Sequence, residues 1–131
     1  MNETVNTKAT ELADFCVKCA EDKLAEDVLK LYVAPQTTIA DYFVICTANS
    51  EPQMRAVCGF IERAVRDEFK VRSNVHENEP ASGWLLLDFG TVLVHVMTPE
   101  VRDRYSLESL WRNSDLSGAA VKTLESMSER N

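Results

Sequence analysis

The sequence predicts an α/β domain: a single mixed sheet of about five strands flanked by helices. Three observations point there. Stretches with apolar residues at helical spacing alternate with short runs rich in β-branched and aromatic residues. Their order is helix, strand, strand, helix, then three strands and a helical end, the pattern of helices laid on one sheet. The 131 residues suit one domain, and no internal repeat or linker divides them.

The first helix is expected over about residues 10–23, with Thr10 as N-cap and a buried stripe of Leu12, Phe15, Cys16 and Cys19. Glu26-Asp27 opens a strand over 28–33, with Lys30 turned away from the core, and residues 35–39 make a turn around Pro35. Residues 41–48, DYFVICTA, are apolar on both faces, as a central strand requires. Ser50 followed by Gln53 is a capping-box pattern, with Pro52 in the tolerated first turn. Met54, Val57, Cys58, Ile61, Val65 and Phe69 then continue as one helical stripe. A short, weak strand is expected over 72–77, followed by a polar loop over 78–83.

Residues 83–97, GWLLLDFGTVLVHVM, form the best-defined hairpin, turning at Phe89-Gly90 where glycine supplies a positive φ. A two-residue turn would pair Asp88 with Thr91, Leu86 with Leu93 and Trp84 with His95; a longer loop changes the partners but keeps the alternation. Pro99 stops the second strand, and short helical turns follow, with Ser106 and Glu108 near a helix start. The apolar pattern thins after Trp111, so the domain is placed at residues 1–111 and a mobile tail at 112–131.

Composition limits the function. The net charge is −7, and Arg55, Arg63, Arg66, Lys70 and Arg72 are interleaved with Glu62, Asp67 and Glu68. No basic face forms, which disfavours RNA as the main contact and favours a basic protein partner. No apolar run approaches the ~20 residues of a membrane span. The polar, acidic N-terminus matches neither a secretory signal nor a transit peptide, so a cytoplasmic protein is expected. Cys16 and Cys19 have the spacing of a zinc half-site, but they lie on the buried stripe and no second ligand pair appears. Core packing is the expected role of all four cysteines, with no disulfide, metal or cofactor.

Catalysis is not expected either. Nucleotidyl or phosphoryl transfer needs carboxylates converging on a metal and a backbone cradle for phosphate. No Gly-rich loop precedes a helix here, no Asp-x-Asp lies on a strand, and residues 76–79 offer ligands in one loop only.

Alternation in the hairpin puts Trp84, Leu86, Asp88, Leu93, His95 and Met97 on one face, and Leu85, Leu87, Val92, Val94 and Val96 on the other. The second face is uniformly aliphatic and suits packing under helices. The first mixes an aromatic anchor with ionisable groups, as the centre of a protein interface often does; the alternative is that both faces are core, with His95 hydrogen-bonded inside. Ser50 and Gln53 are explained by capping alone. Arg102, Tyr105 and Glu108 are expected to pair with one another or with a partner, or to form a solvated surface cluster, and Trp111 is expected to anchor the C-terminal segment.

Two stretches resemble one family closely. ADYFVICTANSEPQMRA resembles its strand-to-helix segment, and GWLLLDFGTVLVHVMTPEVRDRYSLESLW its longer signature of Trp, Asp-aromatic-Gly, a strand with His, then Arg, Tyr, Leu-Glu and Leu-Trp. Glu77 also matches. The family is that of the ribosomal silencing factors, also known as Iojap proteins, and the likeness covers roughly residues 8–111. Ala48-Asn49 stand where Gly-Thr is usual, Asn78 replaces a Gly, and Thr91 replaces an acidic residue after the turn.

The resemblance implies a nucleotidyltransferase-like fold without an enzyme's role. It implies binding to the large ribosomal subunit beside its fourteenth ribosomal protein, with little direct RNA contact, and a steric block on joining with the small subunit. Homodimers of the unbound protein are implied too. An assembly role at the large subunit is the alternative, and a nucleotidyl or phosphoryl transferase a more distant one. The contact residues expected are Trp84, Leu86, Asp88, Leu93, His95, Met97 and Tyr105.

Overall fold

The computed structural model of the protein describes residues 6–74 and 79–112. In chain order the elements are α1 (Thr7–Asp22), β1 (Glu26–Tyr32), β2 (Tyr42–Thr47), α2 (Glu51–Phe69), a 3₁₀ turn (Pro80–Ser82), β3 (Trp84–Asp88), β4 (Val92–Met97), α3 (Pro99–Tyr105) and α4 (Leu107–Arg112). The sheet order is β1-β2-β4-β3. Only β2 and β4 run parallel; β1 with β2 and β3 with β4 are antiparallel, so the sheet is mixed as expected.

Four strands are found among the described residues, not five. The expected strand over 72–77 contributes one bridge, in which the Asn74 N–H donates to the Asp88 carbonyl at 2.7 Å. Arg72, Ser73 and Asn74 carry no alternating apolar pattern to extend it, and residues 75–78 lie outside the described residues. The expected tail lies outside them too, from residue 113 onward.

α1 begins one turn earlier than expected. Asn6 is the N-cap, its Oδ1 accepting the Ala9 N–H at 3.2 Å, and asparagine serves there at least as well as threonine. Burial of Ala9 extends the stripe over that extra turn. Thr10 therefore sits inside the helix, its hydroxyl 2.8 Å from the Tyr42 hydroxyl. In α2, Ser50 Oγ accepts the Gln53 N–H at 3.1 Å as the capping pattern implies. The Gln53 amide reaches one residue further back than a capping box does, accepting from Asn49 N–H at 2.8 Å and donating to the Leu24 carbonyl at 3.0 Å.

The hairpin turns one residue later than expected, at Gly90-Thr91, where the Phe89 N–H donates to the Val92 carbonyl at 3.0 Å. Partners are Trp84 with Met97, Leu86 with His95 and Asp88 with Leu93, two positions from the expected pairing. A shift of two preserves both faces, because side chains alternate with period two. The cause lies in the loop: Phe89 is buried, the Asp88 carboxylate accepts the Gly90 N–H at 2.8 Å, and Gly90 takes φ 86.

Each sheet face has its own core. Tyr42, Val44, Cys46, Leu85, Leu87, Val92, Val94 and Val96 pack beneath α1 and α2. Phe43, Ile45, Leu86, Leu93 and Met97 pack on the opposite side against Val33, Ala40, Val101, Leu107 and Trp111. β2 is thus covered on both faces, and all six of its residues are buried. The four cysteines are buried and free, and burial pushes the Cys46 and Cys58 thiols up to about 12.

Candidate protein interface

The start of β3 is fixed before any functional side chain is placed. Gly83 takes φ 83, and a Cβ there would stand 2.7 Å from Val101 Cγ2 and 2.9 Å from Thr98 Oγ1. Its carbonyl accepts the Thr98 N–H at 2.9 Å, so the first residue of β3 is held against the first turn of α3. Trp84 and Tyr105 meet for that reason. Their ring centroids are 5.1 Å apart, with Trp84 half-buried and Tyr105 46% exposed. Tyr105 closes α3, where Ser106 adopts φ 46 and turns the chain into α4.

Beneath this pair an aromatic column runs into the core. The Trp84 indole Nε1–H donates to His95 Nδ1 at 3.1 Å. The His95 ring meets Phe43 edge-on at 4.8 Å, and Phe43 meets Trp111 at 4.9 Å. An indole N–H only donates, so Nδ1 is the acceptor and the imidazole proton sits on Nε2. His95 is 0% exposed, and burial lowers its pKa to about 3, which keeps the ring neutral. His95 Nε2 and Trp111 Nε1 are buried with no hydrogen-bond partner among the described residues.

Of the seven residues expected to contact a partner, the structure therefore brings two together at the surface: Trp84 and Tyr105. Leu86, Leu93, His95 and Met97 are buried and form the floor instead. The reason is that α3 and α4 fold back across this face, and Val101, Leu107 and Trp111 occupy it. Asp88 lies half-buried at the far end of β3 and is engaged in the hairpin loop. Trp111 packs in the core as expected, only 2% exposed.

Arg102 and Glu108 pair with each other, Nε to Oε2 at 3.2 Å, and Tyr105 is not part of that ion pair. The wider role of Arg102 was hidden in the sequence. Its guanidinium also donates to the Asp27 carbonyl at 2.7 Å and to Thr47 Oγ1 at 2.9 Å, with the side chain only 12% exposed. Asp27 has φ 50, and the β1 register shifts between Glu26 and Leu29. One cation thus ties the bulged end of β1 and the end of β2 to the helices that carry Tyr105. The cleft beside it, about 280 Å³, is lined by Glu26, Asp27, Asp103 and Glu108 among others. Such a lining repels phosphate. Among the described residues no group of three or more His, Cys, Asp or Glu is placed to hold a metal ion, and no helix is long and apolar enough to cross a membrane.

A family model described as "Ribosomal silencing factor during starvation" matches residues 6–131. The chain belongs to the ribosomal silencing factor family. This silencing-factor chain is 38% identical over 96 residues to "Ribosomal silencing factor RsfS" of Bacillus subtilis, covering 73% of this chain and 80% of that one. It is 31% identical over 118 residues to the mouse protein "Mitochondrial assembly of ribosomal large subunit protein 1", covering 85% of this chain and 51% of that one. Among solved structures it superposes on a Chromobacterium violaceum protein with TM-score 0.73 at 29% identity, covering 82% of this chain and 89% of that chain. A Bacillus halodurans protein gives TM-score 0.66 at 34% identity, with 78% and 94% covered.

Proposed function

We propose that this protein binds the large ribosomal subunit beside its fourteenth ribosomal protein and there sterically blocks joining with the small subunit, repressing translation. The observation that carries this is the Trp84–Tyr105 pair, an accessible aromatic patch on a rigid floor. Large aromatic side chains held in place lose little freedom on docking and give up much surface to water-excluded contact. Leu86, Leu93, His95 and Met97 support the patch from below, and Asp88 fixes the hairpin at its other end. The net charge of −7 suits a basic ribosomal protein better than rRNA phosphates. A second reading, assistance to large-subunit assembly, is favoured by the mouse relative's name, and the same docking surface would serve it. The protein is proposed to act in the cytoplasm without cofactor or catalysis, and as a homodimer when unbound. A nucleotidyltransferase-like topology would carry no chemistry by itself.

Affinity for purified large subunits across a salt series tests the choice of partner. Docking on a basic protein should weaken as salt rises, through screening of charge pairs. The decline should stay well short of the 10³–10⁵ loss, roughly, that a protein contacting six to ten phosphates suffers between 50 and 200 mM salt. A slope of that size would assign the contact to RNA.

A further inference from the structure

We infer that His95 is a positioning residue: its Nδ1 accepts the Trp84 Nε1–H and so holds the indole in the orientation that a ribosomal-protein partner meets. The inference rests on the docking reading above and adds the element that sets the geometry of its anchor. Trp84 is half-buried and stands at the first position of β3, so packing covers only part of the indole. Its one polar atom has a protein acceptor at 3.1 Å. That acceptor cannot drift. His95 lies in β4 between its partners Ile45 and Leu86, is 0% exposed, and packs edge-on against Phe43 at 4.8 Å.

Space filling does not account for an imidazole at this place. A phenylalanine would occupy similar volume without burying an Nε2–H that has no acceptor among the described residues, a cost the native chain carries. What the imidazole adds is an acceptor aimed at Trp84. Desolvation keeps the ring neutral, so the Nδ1 lone pair stays available to the indole. The Tyr105 ring also meets Trp84, at 5.1 Å, completing a column whose inner end is buried and whose outer end is exposed.

The test compares His95→Phe with His95→Asn. Phenylalanine keeps ring volume and loses the acceptor; asparagine loses the ring and keeps an oxygen close to the Nδ1 position. A positioning role ranks the pair one way and a filling role ranks it the other. In the parent, the Trp84 indole N–H resonance should be shifted and protected from solvent exchange, and imidazole ¹⁵N shifts should report the Nε2–H tautomer. His95→Phe should lose that protection and bind large subunits roughly tenfold more weakly while remaining folded. His95→Asn should retain most of the protection and stay within about threefold of the parent's affinity. Parent-like binding by His95→Phe, or weaker binding by Asn than by Phe, overturns the inference. An Nδ1–H tautomer in the parent overturns it without any variant, whether or not His95→Phe folds. Failure of the parent to bind large subunits would reject the docking reading instead, and the indole and imidazole resonances would still decide the hydrogen bond.

Discussion

Trp84→Ala is expected to weaken binding to the large subunit about 30-fold or more while the protein still folds, because a truncated aromatic anchor typically costs 2 kcal/mol or more of binding. The indole is half-buried, resting on His95 and Tyr105, and is not part of the fully covered floor. Its removal uncovers that floor without opening a closed cavity, so the stability loss should stay below the ~3–5 kcal/mol of a wholly buried tryptophan. Thermal melting and large-subunit affinity measured on one preparation separate the two effects. Lost binding with a modest drop in melting temperature is the expected pair. Parent-like affinity would remove Trp84 from the interface, and with it the main support for this surface.

The location of Trp84 was legible in the sequence, while its surroundings were not. Period-two alternation keeps Trp84, Leu86, His95 and Met97 on one face for any register shift of an even number of residues, so the hairpin faces survived a two-position error in register. What alternation does not reveal is what lies over a face. The pattern in residues 99–111 reads as short helical turns, and nothing local says that Val101, Leu107 and Trp111 close over His95. That is a tertiary fact, carried by the backbone at Gly83 and Ser106. The Arg102 contacts with Asp27 and Thr47 bridge separations of 75 and 55 residues, beyond any periodicity or spacing argument. β2 was legible because apolar residues on both its faces demand cover on both sides. Of the weak strand expected over 72–77, the described residues show one bridge at Asn74, and the rest of it lies outside them.

Acid should destabilise the protein through His95. Its folded pKa is lowered to about 3 by burial, against about 6.5 in the unfolded chain. Between those values the unfolded state binds a proton that the folded state excludes. Stability from this group is therefore complete above about pH 6.5 and falls as the pH drops toward 3, by at most about 1.4 kcal/mol per pH unit. From pH 8 to 5 the contribution is about 2 kcal/mol. Urea unfolding of the parent and of His95→Asn at both pH values isolates it. The parent should lose about 2 kcal/mol more than the variant across that interval. Equal losses would mean that His95 protonates in the folded state as readily as in the unfolded one.

The central claim is that this protein and the small subunit compete for one surface of the large subunit, and the measurement that meets it most directly is subunit joining. Purified large subunits, incubated with the protein and then with small subunits, are resolved on a sucrose gradient with the protein followed by immunoblot. Joined ribosomes should decrease as the protein is added, the protein should travel with free large subunits, and Trp84→Ala should leave joining intact. Undiminished joining with the protein retained on joined ribosomes would contradict the claim.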